Sequence, residues 1–256
     1  MHEQSVEPQQ ARADARDFHT SGFHLIRNAF PADYIRQLYD AFVAGYAGYF
    51  ENRIYDDATH VGDRRTMLTV ALGGPFNVPL LYANPRLMPV LRLLLGEQIV
   101  LGGLGGVVSL PGARDQHIHR DHRGLFDEGE PAFPLMPAYA ITVIVPLVPL
   151  TERNGTTRMF IGSHRVTTAE AHARPTSDPY TEPGDCILMD YRTLHGGLAN
   201  NGDALRPILY VTYYREWFRD NHNYSKHVPL ALTEEEYAKI DPGHRYLVDW
   251  LVRPRH

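Results

Sequence analysis

Apolar residues recur at helical spacing in the first part of the chain. Within residues 22–46 the spacing of three and four positions is carried by five residues: Tyr34, Ile35, Leu38, Phe42 and Val43. This pattern predicts one buried helix face, in a helix that begins near Pro31 after a short strand and a turn. A second helix is predicted from Pro85 to Leu95, and Gly96 ends it.

From Gln98 onward the pattern changes to short apolar runs separated by Gly, Pro and Asn. The runs are IVLGGLGGVVSL, DQHIHRD, YAITVIVPLVPL, TTRMFI, DCILMD and RPILYVTYYREWF. Strands at this spacing predict an antiparallel barrel or sandwich that packs on the earlier helices. The Gly-rich run 101–106 has no following helix and is interpreted as strand irregularity. A last helix, with a Thr cap, is predicted from Thr233 to Ile240.

Three segments lack a regular pattern. Residues 1–15 carry charge and Gln without apolar periodicity, so they are predicted to be a flexible tail before a single domain that spans 16–256. Residues 47–80 are rich in Gly and Asp and are predicted to form a long loop, a candidate lid. The Pro-rich, apolar segment 123–137 either covers a binding site or is anchored to the barrel by its aromatic side chains.

The composition narrows the possible functions. A formal net charge of −5 and a pI near 6.3 give no basic surface for a phosphate backbone, so nucleic acid is not an expected partner. The chain has no apolar run of about 18 residues, and its first residues are polar, so we expect no membrane span and a cytoplasmic location. Cys186 is the only cysteine, which excludes an intrachain disulfide and a thiolate metal cluster. A metal site must therefore use His, Asp and Glu.

One such site is indicated by the stretch HIHRDHRG, residues 117–124. In an extended strand alternate residues share a face, so His117, His119 and Asp121 would point the same way. The His-x-Asp spacing brings an imidazole and a carboxylate within reach of one first-row metal ion. Taken alone, the pattern is a weak signal, and a solvated edge strand is the simpler explanation.

A second half of the site is indicated further along the chain. His195 stands just past a short apolar run, and Arg206 follows eleven residues later at the start of another. The intervening turn is rich in Gly and Asn, which permits a tight reversal that returns Arg206 alongside His195.

These residues resemble the phytanoyl-CoA dioxygenase (PhyH) family of iron(II)- and 2-oxoglutarate-dependent oxygenases. The resemblance covers most of the chain, from residues 22–30 through NGTTRMFIGSHR (154–165) to the strand that carries Arg206. It implies a mainly β fold with flanking α-helices around a double-stranded β-helix core, also described as jelly-roll or cupin-like. It also implies that the cofactors are iron(II), 2-oxoglutarate and dioxygen.

The resemblance further implies roles for particular residues. His119, Asp121 and His195 match the iron ligands of the catalytic centre, and Arg206 matches the residue that pairs with the distal carboxylate of 2-oxoglutarate. Thr157, and Gln116 or His117, fall where members of the family contact the cosubstrate. His117 is equally well explained as a histidine packed beside the site.

The implied donor set fits this chemistry. Two histidines and one carboxylate leave three positions of an octahedral ion open for 2-oxoglutarate and dioxygen, and a planar guanidinium suits a carboxylate. A carboxylate at position 121 disfavours halogenation. The expected reaction is oxidation of a C–H bond in a small molecule, most simply hydroxylation, in secondary metabolism. Desaturation, cyclisation, epimerisation and endoperoxide formation use the same ligands and stay open.

Two other functions are compatible with the residues. One is a metal-dependent hydrolase or isomerase on a jelly-roll barrel that does not use 2-oxoglutarate. The other is a catalytically inactive homologue that binds a small molecule.

Several residues near these motifs have an ordinary structural explanation. His122 and His164 are interpreted as structural or exposed. Arg64 and Arg65 either contact an anionic substrate or form a solvated pair in the predicted lid. Tyr210 and Tyr214 share a strand face with Arg206 and either line the pocket or pack in the barrel.

Overall fold

The computed structural model describes residues 8–50, 58–122, 124–224 and 228–252. Its α-helices are α1 (Pro8–Ser21), α2 (Ala32–Tyr46), α3 (Pro79–Tyr82), α4 (Met88–Leu95), α5 (Thr168–His172) and α6 (Glu234–Lys239). Its first strands are β1 (Phe23–Ile26), β2 (Ala58–His60), β3 (Arg65–Thr69), β4 (Ile99–Ser109) and β5 (Ala140–Pro146). The later strands are β6 (Thr157–Phe160), β7 (Thr176–Ser177), β8 (Cys186–Asp190), β9 (His195–Gly197) and β10 (Arg206–Arg215).

These strands form two antiparallel sheets. The larger sheet has the order β1-β8-β5-β10-β4-β3-β2, and the smaller sheet has the order β7-β6-β9. Met159 of the smaller sheet packs with Ile144 and Ile208 of the larger sheet, so the two sheets face each other across an apolar layer. The predicted jelly-roll core with flanking helices is thereby confirmed.

The central strand β10 separates two layers of the core. Leu209, Val211 and Tyr213 join the cluster formed with the helices, whereas Ile208 packs toward the smaller sheet. This alternation follows from the two-residue period of a strand. It places the even-numbered residues of β10, starting with Arg206, on the inner face of the sandwich.

Helices α1, α2 and α4 pack in one apolar cluster with the outer face of the larger sheet. The predicted helix after Pro31 is confirmed as α2, and the predicted helix before Gly96 is confirmed as α4, where Gly96 has a φ of 90°. The predicted C-terminal helix is confirmed as α6, and the Thr233 side chain accepts a hydrogen bond from the Glu236 amide. Among the described helices, none is long and apolar enough to cross a bilayer.

The structure corrects the predicted flexible tail over residues 8–15, which belong to helix α1. Ala11, Ala15 and Phe18 are buried along one side of that helix. Asp14 is buried as well, and it pairs with Arg86 at 2.9 Å and with His24 at 3.2 Å. The helix was missed because two of its buried residues are alanines, which give only a weak apolar pattern in the sequence. The ion pairs of Asp14 join residues that are distant in sequence, so the sequence pattern does not reveal them. Residues 1–7 lie outside the described residues.

The predicted loop over residues 47–80 is wrong for its central part. Strands β2 and β3 form a hairpin there and extend the larger sheet beyond β4. The turn between them contains Gly62, with a φ of 142°, and Arg64, with a φ of 52°. Residues 51–57 of the predicted lid lie outside the described residues.

The Gly-rich run lies within β4 and allows a large side chain to approach the strand. A Cβ atom at Gly102 would lie 2.0 Å from the ring of Tyr214, so only glycine fits beneath that ring. The pairing of β4 with β10 also shifts register between Thr212 and Tyr213, which confirms the predicted irregularity.

A buried histidine lies where α1 leads into β1. The His164 side chain is 2% exposed, and a Cβ atom at Gly22 would lie 2.6 Å from its Nδ1 atom. Burial lowers the pKa of His164 from 6.5 to about 4. The folded protein therefore holds this imidazole neutral, as the structural interpretation of His164 requires.

We expect the free energy of unfolding to fall as the pH is lowered from about 6.5 toward 4. In this window the unfolded chain protonates His164 whereas the folded chain does not, which costs about 1.4 kcal/mol per pH unit at most. Urea unfolding of His164→Gln between pH 7 and pH 4.5 should give a shallower slope than wild type. The exposed His172→Gln variant should retain the wild-type slope, and parallel curves for wild type and His164→Gln would contradict the expectation.

Candidate metal centre

Two segments far apart in sequence meet at one backbone bridge. The His119 amide donates to the His195 carbonyl at 2.9 Å, and the His195 amide donates to the His119 carbonyl at 2.8 Å. His195 is the first residue of β9.

The run 115–121 was predicted as a strand, but within it only His119 forms a β-bridge, and that bridge is isolated. The strand prediction is therefore corrected. The first backbone hydrogen bond between this segment and β9 is formed by Gln116, whose amide donates to the Gly197 carbonyl at 2.8 Å.

The bridge brings together the three predicted ligands. One donor atom from each of His119, Asp121 and His195 lies within 4.8 Å of the other two. The Asp121 Oδ1 atom is 3.8 Å from His119 Nε2 and 3.6 Å from His195 Nε2. His195 is buried, while His119 and Asp121 are half-buried. The three side chains therefore form a compact set of two imidazole nitrogens and one carboxylate oxygen, partly open to solvent at His119 and Asp121.

The far nitrogen of each imidazole is held by a backbone carbonyl. The Nδ1 atom of His119 lies 3.0 Å from the His117 carbonyl, and the Nδ1 atom of His195 lies 2.9 Å from the Thr193 carbonyl. Because a carbonyl only accepts, Nδ1 carries the proton, and the Nε2 lone pairs point into the site. Burial, followed by the nearby His195, lowers the pKa of His119, which favours the neutral form that binds metals.

Arg206 lies at the start of β10 and is 2% exposed. Its Nη1 donates to the carbonyls of Asn154 at 2.7 Å and Leu198 at 2.9 Å, and its Nη2 donates to Ser109 Oγ at 2.9 Å. Its Nε is buried without a hydrogen-bond partner among the described residues. Gly155 has a φ of 76°, and a Cβ atom there would lie 2.6 Å from Arg206 Nη1. Glycine at this position therefore leaves room for the guanidinium.

A second guanidinium lies beside the first. Arg65, on β3, is 1% exposed, and its Nε and Nη2 donate to Ser109 Oγ at 2.8 Å and to the Leu198 carbonyl at 2.9 Å. The two arginines thus share both acceptors. Among the described residues, neither arginine forms an ion pair with a carboxylate. Burial and the neighbouring Arg65 lower the pKa of Arg206 to about 10, so Arg206 remains charged at neutral pH. Burial also lowers the pKa of Arg65, but an arginine side chain keeps its proton in a protein.

Two adjacent buried cations of this kind favour an anion. A buried charge is costly unless it is paired, and the neutral acceptors around Arg65 and Arg206 do not supply the opposite charge. The unpartnered Nε of Arg206 is a further free donor. The arrangement fits a carboxylate, which accepts several charge-assisted hydrogen bonds at once.

The sequence left the role of Arg65 open, and the structure separates it from Arg64. Arg64 is an exposed residue of the hairpin turn, whereas Arg65 begins a buried strand. A sequence signal did exist, because the dipeptide Gly62-Asp63, which is typical of a hairpin turn, lies between the two short Thr-containing runs ATH and RTMLT. The proximity of Arg65 to Arg206 is a long-range contact that this signal does not contain.

The remaining predicted cosubstrate residues lie around Gly197 of β9. The Gly197 amide donates to Gln116 Oε1 at 3.2 Å, and the Gly197 carbonyl accepts from Arg65 Nη1 at 3.3 Å. Thr157 pairs with Gly197 across the smaller sheet and is 3% exposed. His117 lines the cavity instead, with its ring centroid 4.8 Å from that of His119. Their contacts with a cosubstrate stay predictions.

The donor set opens into a cavity of about 1140 Å³. The cavity is lined by Met67, Thr142 and Thr212 of the larger sheet and by the three predicted ligands, of which His195 lies on the smaller sheet. Tyr210 also lines it, whereas Tyr214 is buried with its hydroxyl 2.9 Å from that of Tyr191. Each of the two alternatives therefore applies to one tyrosine: Tyr210 lines the pocket, and Tyr214 packs in the barrel.

The predicted covering segment lies at the mouth of this cavity. Within its described part, residues 124–137, Leu125 and Phe126 line the cavity, while Phe133 is 4% exposed and serves as an anchor. The Glu128 carboxylate binds Arg120 Nη1 at 2.8 Å and accepts from the Thr168 amide at 2.9 Å. The segment is thus both a cover and an anchored loop. Residue 123 lies outside the described residues.

The other histidines of the region have structural surroundings. The His122 Nδ1 atom lies 2.9 Å from the hydroxyl of Tyr139, and its ring packs edge-on against Phe218. This contact supports the structural interpretation of His122.

The donor chemistry fits a first-row divalent metal ion. Two neutral imidazole nitrogens and one carboxylate oxygen form the set used by non-haem iron sites with open positions. The carbonyls that fix the Nδ1 protons are the outer partners that such ligands require.

Comparison with known proteins points to one family. The family model described as "Phytanoyl-CoA dioxygenase (PhyH)" matches residues 18–208. Dioxygenase af480 of Aspergillus fumigatus is 30% identical over 156 residues, which are 59% of this chain and 49% of that protein. The iron/alpha-ketoglutarate-dependent dioxygenase okaE of Penicillium ochrochloron is 33% identical over 109 residues, which are 42% of this chain and 36% of that protein. The matches span half or less of these relatives.

Solved structures share the fold. The epimerase SnoN, in complex with Fe3+, alpha ketoglutarate and nogalamycin RO, has a TM-score of 0.65 at 19% identity, with 84% of this chain and 88% of that chain covered. HygX from Streptomyces hygroscopicus, with nickel, 2-oxoglutarate and hygromycin B bound, has a TM-score of 0.60 at 16% identity. That match covers 82% of this chain and 89% of HygX.

We expect apoprotein to bind cobalt(II) through the three converging side chains. His119→Ala, Asp121→Ala and His195→Ala should each weaken binding by about a hundredfold or more, because loss of a ligand exceeds the 10–100-fold effect of losing an outer partner. Isothermal titration and the cobalt absorption spectrum measure this change. His172→Ala, which removes another cavity histidine, should bind as wild type does. Equal affinity in wild type and Asp121→Ala would contradict the assignment.

Proposed function

This chain belongs to the phytanoyl-CoA dioxygenase family, and we propose that it is an iron(II)- and 2-oxoglutarate-dependent oxygenase that oxidises a C–H bond of a small molecule. The observation that carries the proposal is the convergence of His119, Asp121 and His195 in a cavity near two buried guanidiniums. A metal-dependent hydrolase would have a use for the donor set, but none for the paired arginines.

The metal would be held by the Nε2 atoms of His119 and His195 and by the carboxylate of Asp121. Iron(II) bound there supplies activation of dioxygen, coupled to oxidative decarboxylation of 2-oxoglutarate to succinate and carbon dioxide. The protein's part is to hold both reactants and to limit access of water. The carbonyls of His117 and Thr193 keep both imidazoles in the tautomer that binds a metal.

The cosubstrate would be oriented by charge. Arg206 and Arg65 are proposed to bind its distal carboxylate, and the Nε of Arg206, buried without a hydrogen-bond partner among the described residues, is a further donor for that group. Because a bound metal ion would supply positive charge at one end and the arginines supply it at the other, a dicarboxylate is favoured with one carboxylate at each end. Thr157 and Gln116, beside Gly197, are proposed to contact its chain.

The substrate would occupy the outer part of the cavity. A volume of about 1140 Å³ exceeds what 2-oxoglutarate alone requires and lies at the upper end for small-molecule sites. The solved relatives whose structures contain nogalamycin RO and hygromycin B support a substrate of natural-product size. We place the reaction in secondary metabolism and favour hydroxylation. The Asp121 carboxylate occupies the position that a halide would need.

The proposal is tested by succinate production. Anaerobic protein loaded with iron(II), then given 2-oxoglutarate and oxygen, should release succinate slowly without a substrate and faster when a substrate binds. It should also show a weak visible absorption band on addition of 2-oxoglutarate before oxygen. Asp121→Ala is the control and should lack both signals. Wild-type protein that releases no more succinate than this control would refute the proposed activity.

Substitution of the paired arginines should chiefly affect the cosubstrate. Arg206→Gln and Arg65→Gln should each raise KM for 2-oxoglutarate about tenfold or more, since a hydrogen bond to a charged group contributes about 1.5–3 kcal/mol. Initial rates over a range of 2-oxoglutarate concentrations measure the change. Arg153→Gln is the matched control, because Arg153 is an exposed arginine paired with Asp203. An unchanged KM in both Arg206→Gln and Arg65→Gln would remove these arginines from the proposed role.

A further inference from the structure

The segment that carries two of the three metal ligands has little regular structure to hold it. Its backbone pairs with β9 at Gln116 and again at His119. Beyond that bridge, the next backbone contact is the His122 amide, which donates to the Tyr191 carbonyl at 3.1 Å. Asp121 therefore needs another restraint if its carboxylate is to stay near both imidazoles.

A side chain from the segment after β10 provides that restraint. The Asn223 Nδ2 atom donates to the Asp121 carbonyl at 2.9 Å and to Asp220 Oδ2 at 2.8 Å. Both partners only accept, so the two hydrogens of the amide are used and the orientation of the amide is defined. The contact joins positions that are remote in sequence and lies at the backbone of a predicted metal ligand.

Asn223 is itself held in place. The Asp220 Oδ1 atom accepts from the amides of His222 at 3.0 Å and Asn223 at 2.9 Å, and Asp220 is 6% exposed. A buried carboxylate thus fixes both the backbone and the side chain of Asn223. A rigid support of this kind transmits a restraint better than a mobile side chain does.

We propose that Asn223 is a positioning residue of the metal centre, which fixes the Asp121 carboxylate through the backbone carbonyl of Asp121. The inference rests on the proposed metal centre and adds a residue from a separate part of the chain to it. Outer partners that orient a ligand contribute to metal affinity without touching the ion. Without the Asn223 side-chain amide, Asp121 is free to move, and the affinity of the site for a metal ion falls.

The other side of the same segment is secured independently. Arg120 donates from Nη2 to the carbonyls of Ser163 at 2.9 Å and Val166 at 2.7 Å, and from Nη1 to Glu128. Together with the His119 bridge, these bonds keep the segment in place when Asn223 is changed. The effect of an Asn223 variant should therefore be local to Asp121.

The test measures metal affinity rather than turnover. Cobalt(II) is titrated into apoprotein of wild type, Asn223→Ala, Asn223→Ser and Asn201→Ala, and melting temperatures are recorded for each. Asn223→Ala should raise the dissociation constant about tenfold or more, as loss of an outer partner does. Asn223→Ser keeps one donor and should fall between Asn223→Ala and wild type. Asn201 is exposed, and Asn201→Ala should match wild type.

Asp121→Ala separates the two proposals. If Asp121→Ala binds cobalt as wild type does, the metal centre itself is wrong. If Asp121→Ala loses binding while Asn223→Ala keeps the wild-type dissociation constant, the positioning role is overturned, even when its melting temperature falls. Should Asn223→Ala fail to fold, Asn223→Ser decides the question by the same comparison.

Discussion

The reciprocal hydrogen bonds between His119 and His195 are the constraint on which the site depends. They join a segment with little regular structure to the edge of the smaller sheet. Because each residue both donates and accepts, neither backbone can slide along the other without losing both bonds. The register of this single bridge sets which side chains face each other, and the imidazoles meet with ring centroids 4.4 Å apart.

The site combines two electrostatic environments within one sandwich. Near the bridge, burial lowers the pKa of His119 and favours its neutral imidazole, whereas Arg65 and Arg206 retain their charge among shared neutral acceptors. The backbone that continues from His195 supplies the Gly197 carbonyl to Arg65 and the Leu198 carbonyl to both guanidiniums, so both environments are attached to the same stretch of chain. This connection fixes the distance between a metal-binding end and an anion-binding end.

Much of this arrangement could be predicted from the sequence, and the exceptions have physical causes. The alternation along β10 and the spacing of His119, Asp121, His195 and Arg206 reflect local geometry, which sequence patterns contain. Arg65 was left open because its burial depends on a hairpin pairing with β4 and on acceptors from the smaller sheet. Helix α1 was missed because its support comes from Arg86 and His24. The cosubstrate contacts of Thr157, Gln116 and His117 stay predictions.

The cover over the cavity is held by the buried Phe133 and by the contacts of Glu128, while other side chains of the segment face the cavity. Glu128 is fixed to Arg120 and Thr168, whereas Leu125 and Phe126 face the cavity and are more than one-third exposed. Exchange of these two side chains would reshape the wall seen by a substrate while leaving the anchor intact. Such a layout lets a lineage diversify what its enzyme accepts without rebuilding the chemistry beneath.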